Sequence, residues 1–146
     1  MTTGSSAASL AATAITRSVQ NFSNNDNLDA YDGVQVWTRD PSLGWQEWTF
    51  DQISVTDEGT GIYTISSVTF PGTCITDNGT NAPVTLQRRD VNNLAQRWVV
   101  DLGQEETTII SEKNRDEVLQ SNGNDMPVVA APADGTPKQL WTLYNK

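Results

Sequence analysis

The side chains able to do covalent chemistry are few and poorly placed for it. The chain has no histidine, which removes the commonest general base and the commonest metal ligand together. Its one cysteine, Cys74, lacks an imidazole partner and sits in a strand-like segment, so it reads as a packed residue and not as a nucleophile. Aspartates and glutamates are scattered through turns, and no calcium loop, glycine-rich phosphate loop or zinc spacing occurs. These residues describe a non-enzyme that binds without a metal or cofactor.

What recurs instead is an amide paired with an indole. Gln46-Glu47-Trp48, Gln96-Arg97-Trp98 and Gln139-Leu140-Trp141 each close a segment, and each tryptophan leads into strand-forming residues: Thr49-Phe50, Val99-Val100 and Thr142-Leu143. Side chains two apart on a strand share a face, so each glutamine lies beside its tryptophan. If the tryptophans anchor a core, the amides beside them must find hydrogen-bond partners. The nearest are backbone groups in the turns of the same repeat.

Those triplets belong to longer repeats. The segment from Cys74, CITDNGTNAPV, matches VLQSNGNDMPV from Val118 over eleven positions. Asn78-Gly79 and Asn122-Gly123 fall at the same place in each, and Asn-Gly favours a tight hairpin. Upstream, Tyr63 to Ser67 and Thr107 to Ser111 are β-rich at matching distances, so each unit reads as about four short strands. The first unit aligns less regularly. With a turn about three residues shorter, Asp29 falls opposite Thr76 and Gln120, and Val34-Gln35-Val36-Trp37 lines up with Val84-Thr85-Leu86-Gln87 and Val128-Val129-Ala130-Ala131. Alternation then places Gln35 and Trp37 on the face opposite Val34 and Val36. A hairpin of this size cannot bury its own apolar face, but three packed about an axis share one core.

Composition agrees with that architecture. A chain of 146 residues, 36% hydrophobic, suits one all-β domain of short strands and polar turns. A net charge of −9 with no basic run argues against nucleic acid and anionic membrane surfaces as partners. No apolar stretch is long enough for membrane insertion. With a single cysteine no internal disulfide forms, and residues 1–13 lack the pattern of a secretory signal, which together favour a cytoplasmic or non-classically released protein.

The triple Gln-x-Trp, in register with matching hairpins, resembles the ricin B-type β-trefoil lectin family over residues 14–146. Leu28-Asp29-Ala30-Tyr31-Asp32-Gly33 followed by Trp37-Thr38-Arg39 is similar to the first repeat of its small single-domain fungal agglutinins. The resemblance implies an all-β trefoil of three four-stranded repeats with pseudo-threefold symmetry, at about 14–56, 57–101 and 102–146, preceded by a flexible arm over 1–13. It implies binding of galactose or N-acetylgalactosamine-type glycans, on glycoproteins or glycolipids, by a monomer or homodimer. A pocket of the family takes an acid from the first hairpin, a ring from the third strand and polar groups from the loop before the signature. A pyranose needs such a set, having a C–H face and a hydroxyl rim.

On that scheme the first repeat offers Asp29 or Asp32, Gln35, Trp37, and Arg39 or Asp40, with Gln46 beneath them. It alone has an aromatic at the expected stacking position, although Trp45 stands where the family often has asparagine. The second repeat offers Asp77, Gln87, Asn92 and Asn93; the third, with Gln120, Ser121 and Ala131, lacks both acid and ring. Aspartates 29 and 32 serve equally well as caps of the turn around Tyr31. Two other functions fit the same fold: a β-trefoil protease inhibitor, or a sugar-silent adhesive module of a toxin complex.

Overall fold

A computed structural model describes residues 14–145; the expected N-terminal arm lies outside the described residues. The first repeat holds β1 (Ile15–Asn21), β2 (Asn27–Asp29), β3 (Trp37–Arg39) and β4 (Trp48–Val55). The second holds β5 (Gly61–Ser67), β6 (Thr73–Thr76), β7 (Thr85–Arg88) and β8 (Trp98–Val100). In the third, β9 (Ile109–Ser111) and β10 (Glu117–Gln120) are followed by β11 (Met126–Pro127), β12 (Val129–Pro132) and β13 (Trp141–Asn145). Among the described residues the only helical pieces are short 3-10 turns at Leu94–Gln96 and Pro137–Gln139.

The first and last strands of each repeat form a barrel. Strand β1 pairs with β4 and β13, β4 with β5, β5 with β8, and β8 with β9, all antiparallel. The ring closes between Thr107 and Trp141, which exchange two backbone hydrogen bonds of 2.9 Å. The middle hairpins, β2–β3, β6–β7 and β10–β12, cap one end of it. They interlock in a cycle, with Trp37 opposite Pro127, Thr85 opposite Gln35 and Val129 opposite Pro83. This is a β-trefoil.

Each signature tryptophan lies wholly inside the barrel. Its indole N–H donates to the carbonyl one residue before the end of its own repeat's second strand: Trp48 to Leu28, Trp98 to Ile75 and Trp141 to Leu119, at 2.9, 3.0 and 3.1 Å. The bond satisfies the one polar atom of a ring whose remaining surface is apolar, so the ring can be buried completely. Around these rings pack Val19, Phe50, Ile65, Val100 and Ile109.

These bonds fix the alignment of the repeats and correct one part of the sequence reading. Leu28, Ile75 and Leu119 are equivalent, so Asp29 does fall opposite Thr76 and Gln120. The cross-strand partners of those three residues are Trp37, Thr85 and Val129. Hence Val36 corresponds to Val84 and Val128, and all three are fully buried about the threefold axis. The expected alignment of Val34 with Val84 is displaced by two residues. The first hairpin turn is one residue shorter than the others, not three, and Val34 is exposed. Alternation alone could not separate the two registers, because Val34 and Val36 share the same parity.

Replacing Trp98 by alanine should destabilise the fold by about 3–5 kcal/mol, the usual cost of removing a buried aromatic side chain. Urea unfolding checks this; a variant as stable as the wild type would contradict the core assignment.

Candidate functional site

Each signature glutamine ties the loop before it to the hairpin of its repeat. Gln46 Nε2 donates to Asp29 Oδ2 and to the Asp40 carbonyl, at 2.9 and 2.8 Å. Gln96 Nε2 reaches Thr76 Oγ1 and the Arg88 carbonyl, at 3.2 and 2.9 Å. Gln139 Nε2 reaches Gln120 Oε1 and the Pro132 carbonyl, at 3.0 and 2.9 Å. The amide oxygens of Gln96 and Gln139 accept from the backbone N–H of Asp90 and Asp134, whereas Gln46 Oε1 accepts from Asn27 Nδ2. The three glutamines are therefore struts, and the groove between each hairpin and its loop is what they hold open.

In the first repeat the chain satisfies its own acid and ring. Asp29 is fully buried: Oδ1 accepts the Tyr31 N–H at 2.8 Å, Oδ2 takes Gln46, and Arg39 Nη1 lies 3.9 Å away. The Tyr31 ring stacks on Trp37 with centroids 3.9 Å apart and planes within 4°. The Arg39 guanidinium lies 5.1 Å from the centre of the same tyrosine ring and bonds Asp125 Oδ1 at 3.1 Å. Gln35 accepts the Trp37 indole N–H and donates to Asp32 Oδ2. Asp32 itself caps the turn, taking the N–H groups of Val34 and Gln35, and these bonds hold its carboxyl below the usual range. Asp40, also held low, caps the next turn through the Ser42 N–H.

The shorter turn explains this arrangement. Counted back from the buried valines, Tyr31 stands where the other repeats have Gly79 and Gly123, and all three have positive φ (35°, 118° and 116°). A tyrosine there is in the left-handed region that favours glycine. The corrected register also moves Trp37 off the expected stacking position. Arg39 occupies it, equivalent to Gln87 and Ala131, so none of the three repeats carries an aromatic there. Trp45, before the signature glutamine, also has positive φ; its half-exposed ring meets Phe70 edge-on at 5.2 Å.

The second repeat is open. A cleft of about 720 Å³ runs beside the exit of β7, lined by Gln87, Arg88, Arg89, Asp90, Val91 and Asn93, with Gln96 at its base. Asn92 belongs to the same loop, its N–H held by Asp90 Oδ1, while Asn93 caps the 3-10 turn through the Ala95 N–H. Asp77 does not line it: buried, it accepts the Gly79 N–H and the Ser111 hydroxyl. The Arg88-Arg89-Asp90 run at the strand exit marks this wall in the sequence. Tyr31 becomes legible only once the turn is set one residue short. Cys74 is buried against Ser66, and burial pushes its thiol pKa up, away from nucleophilic use.

A trefoil whose three signature glutamines brace three grooves is the architecture of a lectin-type binding module. The chain belongs to the ricin-type β-trefoil lectin domain-like family, whose model matches residues 44–141, and so to a class of carbohydrate-binding domains. Among solved structures, the designed threefold-symmetric protein ThreeFoil is similar at 17% identity and a TM-score of 0.72, over 90% of this chain and 99% of that one. A mosquitocidal holotoxin matches at 16% identity and a TM-score of 0.73, over 90% of this chain and only 16% of the toxin. The C-half of an earthworm R-type lectin, solved with GalNAc, matches at 20% identity and a TM-score of 0.64, over 90% and 99% of the two chains. No curated protein gives a significant match.

Two outcomes follow from the first repeat. Because Trp37 supports Tyr31 from inside the hairpin, Trp37→Ala should lower stability by about 1 kcal/mol or more, the scale of one aromatic pair; urea unfolding reads it. Nearby, Asp26 is buried with Oδ2 unpartnered, and burial, then Asp40, then Asp125 raise its pKa. A raised carboxyl favours the folded state when protonated and loses that contribution as pH rises through the folded pKa. Asp26→Asn should therefore raise the melting temperature at neutral pH, with the gain shrinking as the solution is acidified.

Proposed function

We propose that the protein is a lectin that binds galactose or N-acetylgalactosamine-type glycans without catalysis, through the cleft of its second repeat. The observation that carries this reading is the contrast between the repeats. The first has its acid sealed and its ring covered by its own tyrosine, whereas the second presents Gln87, Asp90 and Asn93 around an open space of about 720 Å³. A monosaccharide fits such a space, with side-chain amides and a carboxylate for its hydroxyls and Val91 for its C–H face. The GalNAc held by the structurally similar earthworm lectin half supports the sugar class.

Asp29, Trp37 and Arg39 then form a second, closed position, reached by ligand only if the tyrosine leaves. If the second-repeat cleft is the one working site per chain, cross-linking of cells requires two chains, so agglutination and a homodimer go together in this reading. The mosquitocidal holotoxin supports a second use of the same fold, as one module of a larger toxin.

A glycan array followed by calorimetry tests the assignment. Gln87→Ala with Asn93→Ala should reduce affinity for the best glycan by roughly tenfold, the equivalent of one or two lost hydrogen bonds. Trp37→Ala should leave that affinity within about twofold once folded protein is compared. The reverse pattern would put the working site in the first repeat, and no binding to any glycan would remove the lectin reading.

A further inference from the structure

The second-repeat cleft differs from the rest of this acidic molecule in charge. Of nine basic residues in a chain of net charge −9, Arg88 and Arg89 line the cleft directly. A third, Arg97, lies next to it, its guanidinium folded onto the carbonyl of the lining residue Val91, at 3.0 Å from Nε and 2.6 Å from Nη2. Asp51 pairs with Arg89 at 2.8 Å, and Asp90 accepts the N–H of Asn92. Arg97 spends its bonds on a neutral carbonyl, and the guanidinium of the exposed Arg88 makes no hydrogen bond or ion pair among the described residues. The cleft therefore keeps one guanidinium, that of Arg88, without an ion-pair partner, while in the first repeat Arg39 lies beside both Asp29 and Asp125.

Guanidinium groups offer forked donors that match carboxylates and sulfate esters better than they match hydroxyls. Hydroxyl recognition needs no net charge, and a protein this acidic otherwise repels anions at long range. We infer that the second-repeat cleft selects galactose-type glycans bearing an anionic group, a carboxylate or a sulfate ester, with Arg88 as the main contact of that group and Arg97 supporting it. This inference rests on the lectin reading of the same cleft and narrows its ligand class.

Calorimetry on the whole chain would compare a neutral galactoside, its sulfated form, its sialylated form, and inorganic sulfate alone. The acidic glycans should bind more tightly than the neutral one, and raising salt should erode that advantage while leaving neutral binding nearly constant. Arg88→Gln, an exposed substitution, should weaken acidic-glycan binding roughly three- to fivefold, as expected for one exposed ion pair, and should weaken neutral binding less, so that the preference for the acidic glycan shrinks; Arg88→Lys should keep most of the preference. Sulfated and sialylated forms distinguish ester from carboxylate recognition, and either preference supports the inference. Equal binding of neutral and acidic glycans, an Arg88→Gln variant with its preference intact, or inorganic sulfate binding as tightly as the sulfated sugar would each overturn it while leaving the lectin reading in place. Failure to bind any glycan would overturn both.

Discussion

The structure depends on a buried tie made three times: an indole N–H bonded to a strand carbonyl, and an amide two residues earlier bonded to a side chain of the hairpin's first strand and to a carbonyl at or just past the end of its second. Neither half would be tolerated alone. A buried tryptophan without its acceptor, or a buried amide without its partners, leaves a desolvated polar group whose cost is comparable with a good part of a small domain's stability. Together they convert a hydrophobic anchor into a positional one. The ring fixes depth in the core, and the amide fixes where the loop before it must run.

Because the tie is local to each repeat, the outer surface can vary while the interior stays threefold. The valines at 36, 84 and 128 and the tryptophans at 48, 98 and 141 are interchangeable in environment. The residues three positions after those valines, Arg39, Gln87 and Ala131, have nothing in common chemically. The three grooves are thus independent in chemistry but identical in support. One is filled from within, one is open and carries an arginine without an ion-pair partner, and one has neither ring nor acid.

Much of the fold was readable because its determinants are local and periodic. The Gln-x-Trp triplets, and the Asn-Gly turns at equal offsets from Pro83 and Pro127, specify the repeats directly, and Asp29 was correctly set opposite Thr76 and Gln120. The site was less readable, for a specific reason. Val34 and Val36 are both apolar and share one strand face by parity, so the choice between them rests on the length of the turn, which the sequence leaves open. That two-residue displacement carried Trp37 into the stacking position. Asp77 looked like a displaced pocket acid because its spacing is close to that of Asp29, but it bonds the turn backbone and Ser111, which only three-dimensional packing determines.

The short first turn has a consequence for how the repeats can diverge. In the second and third repeats, two neighbouring residues divide the labour: Thr76 and Gln120 meet the glutamine strut, while Asp77 and Ser121 hold the N–H of the turn glycine. With one residue fewer, Asp29 does both, one oxygen for each task. A carboxylate is the small side chain that accepts two such bonds in different directions, so Asp29 has no neighbour to share a substitution with and no isostere that keeps both bonds. The other two hairpins carry spare capacity, and their inner residues can drift one at a time. Redundancy, and with it freedom to acquire new binding chemistry, is greatest where the turn is longest.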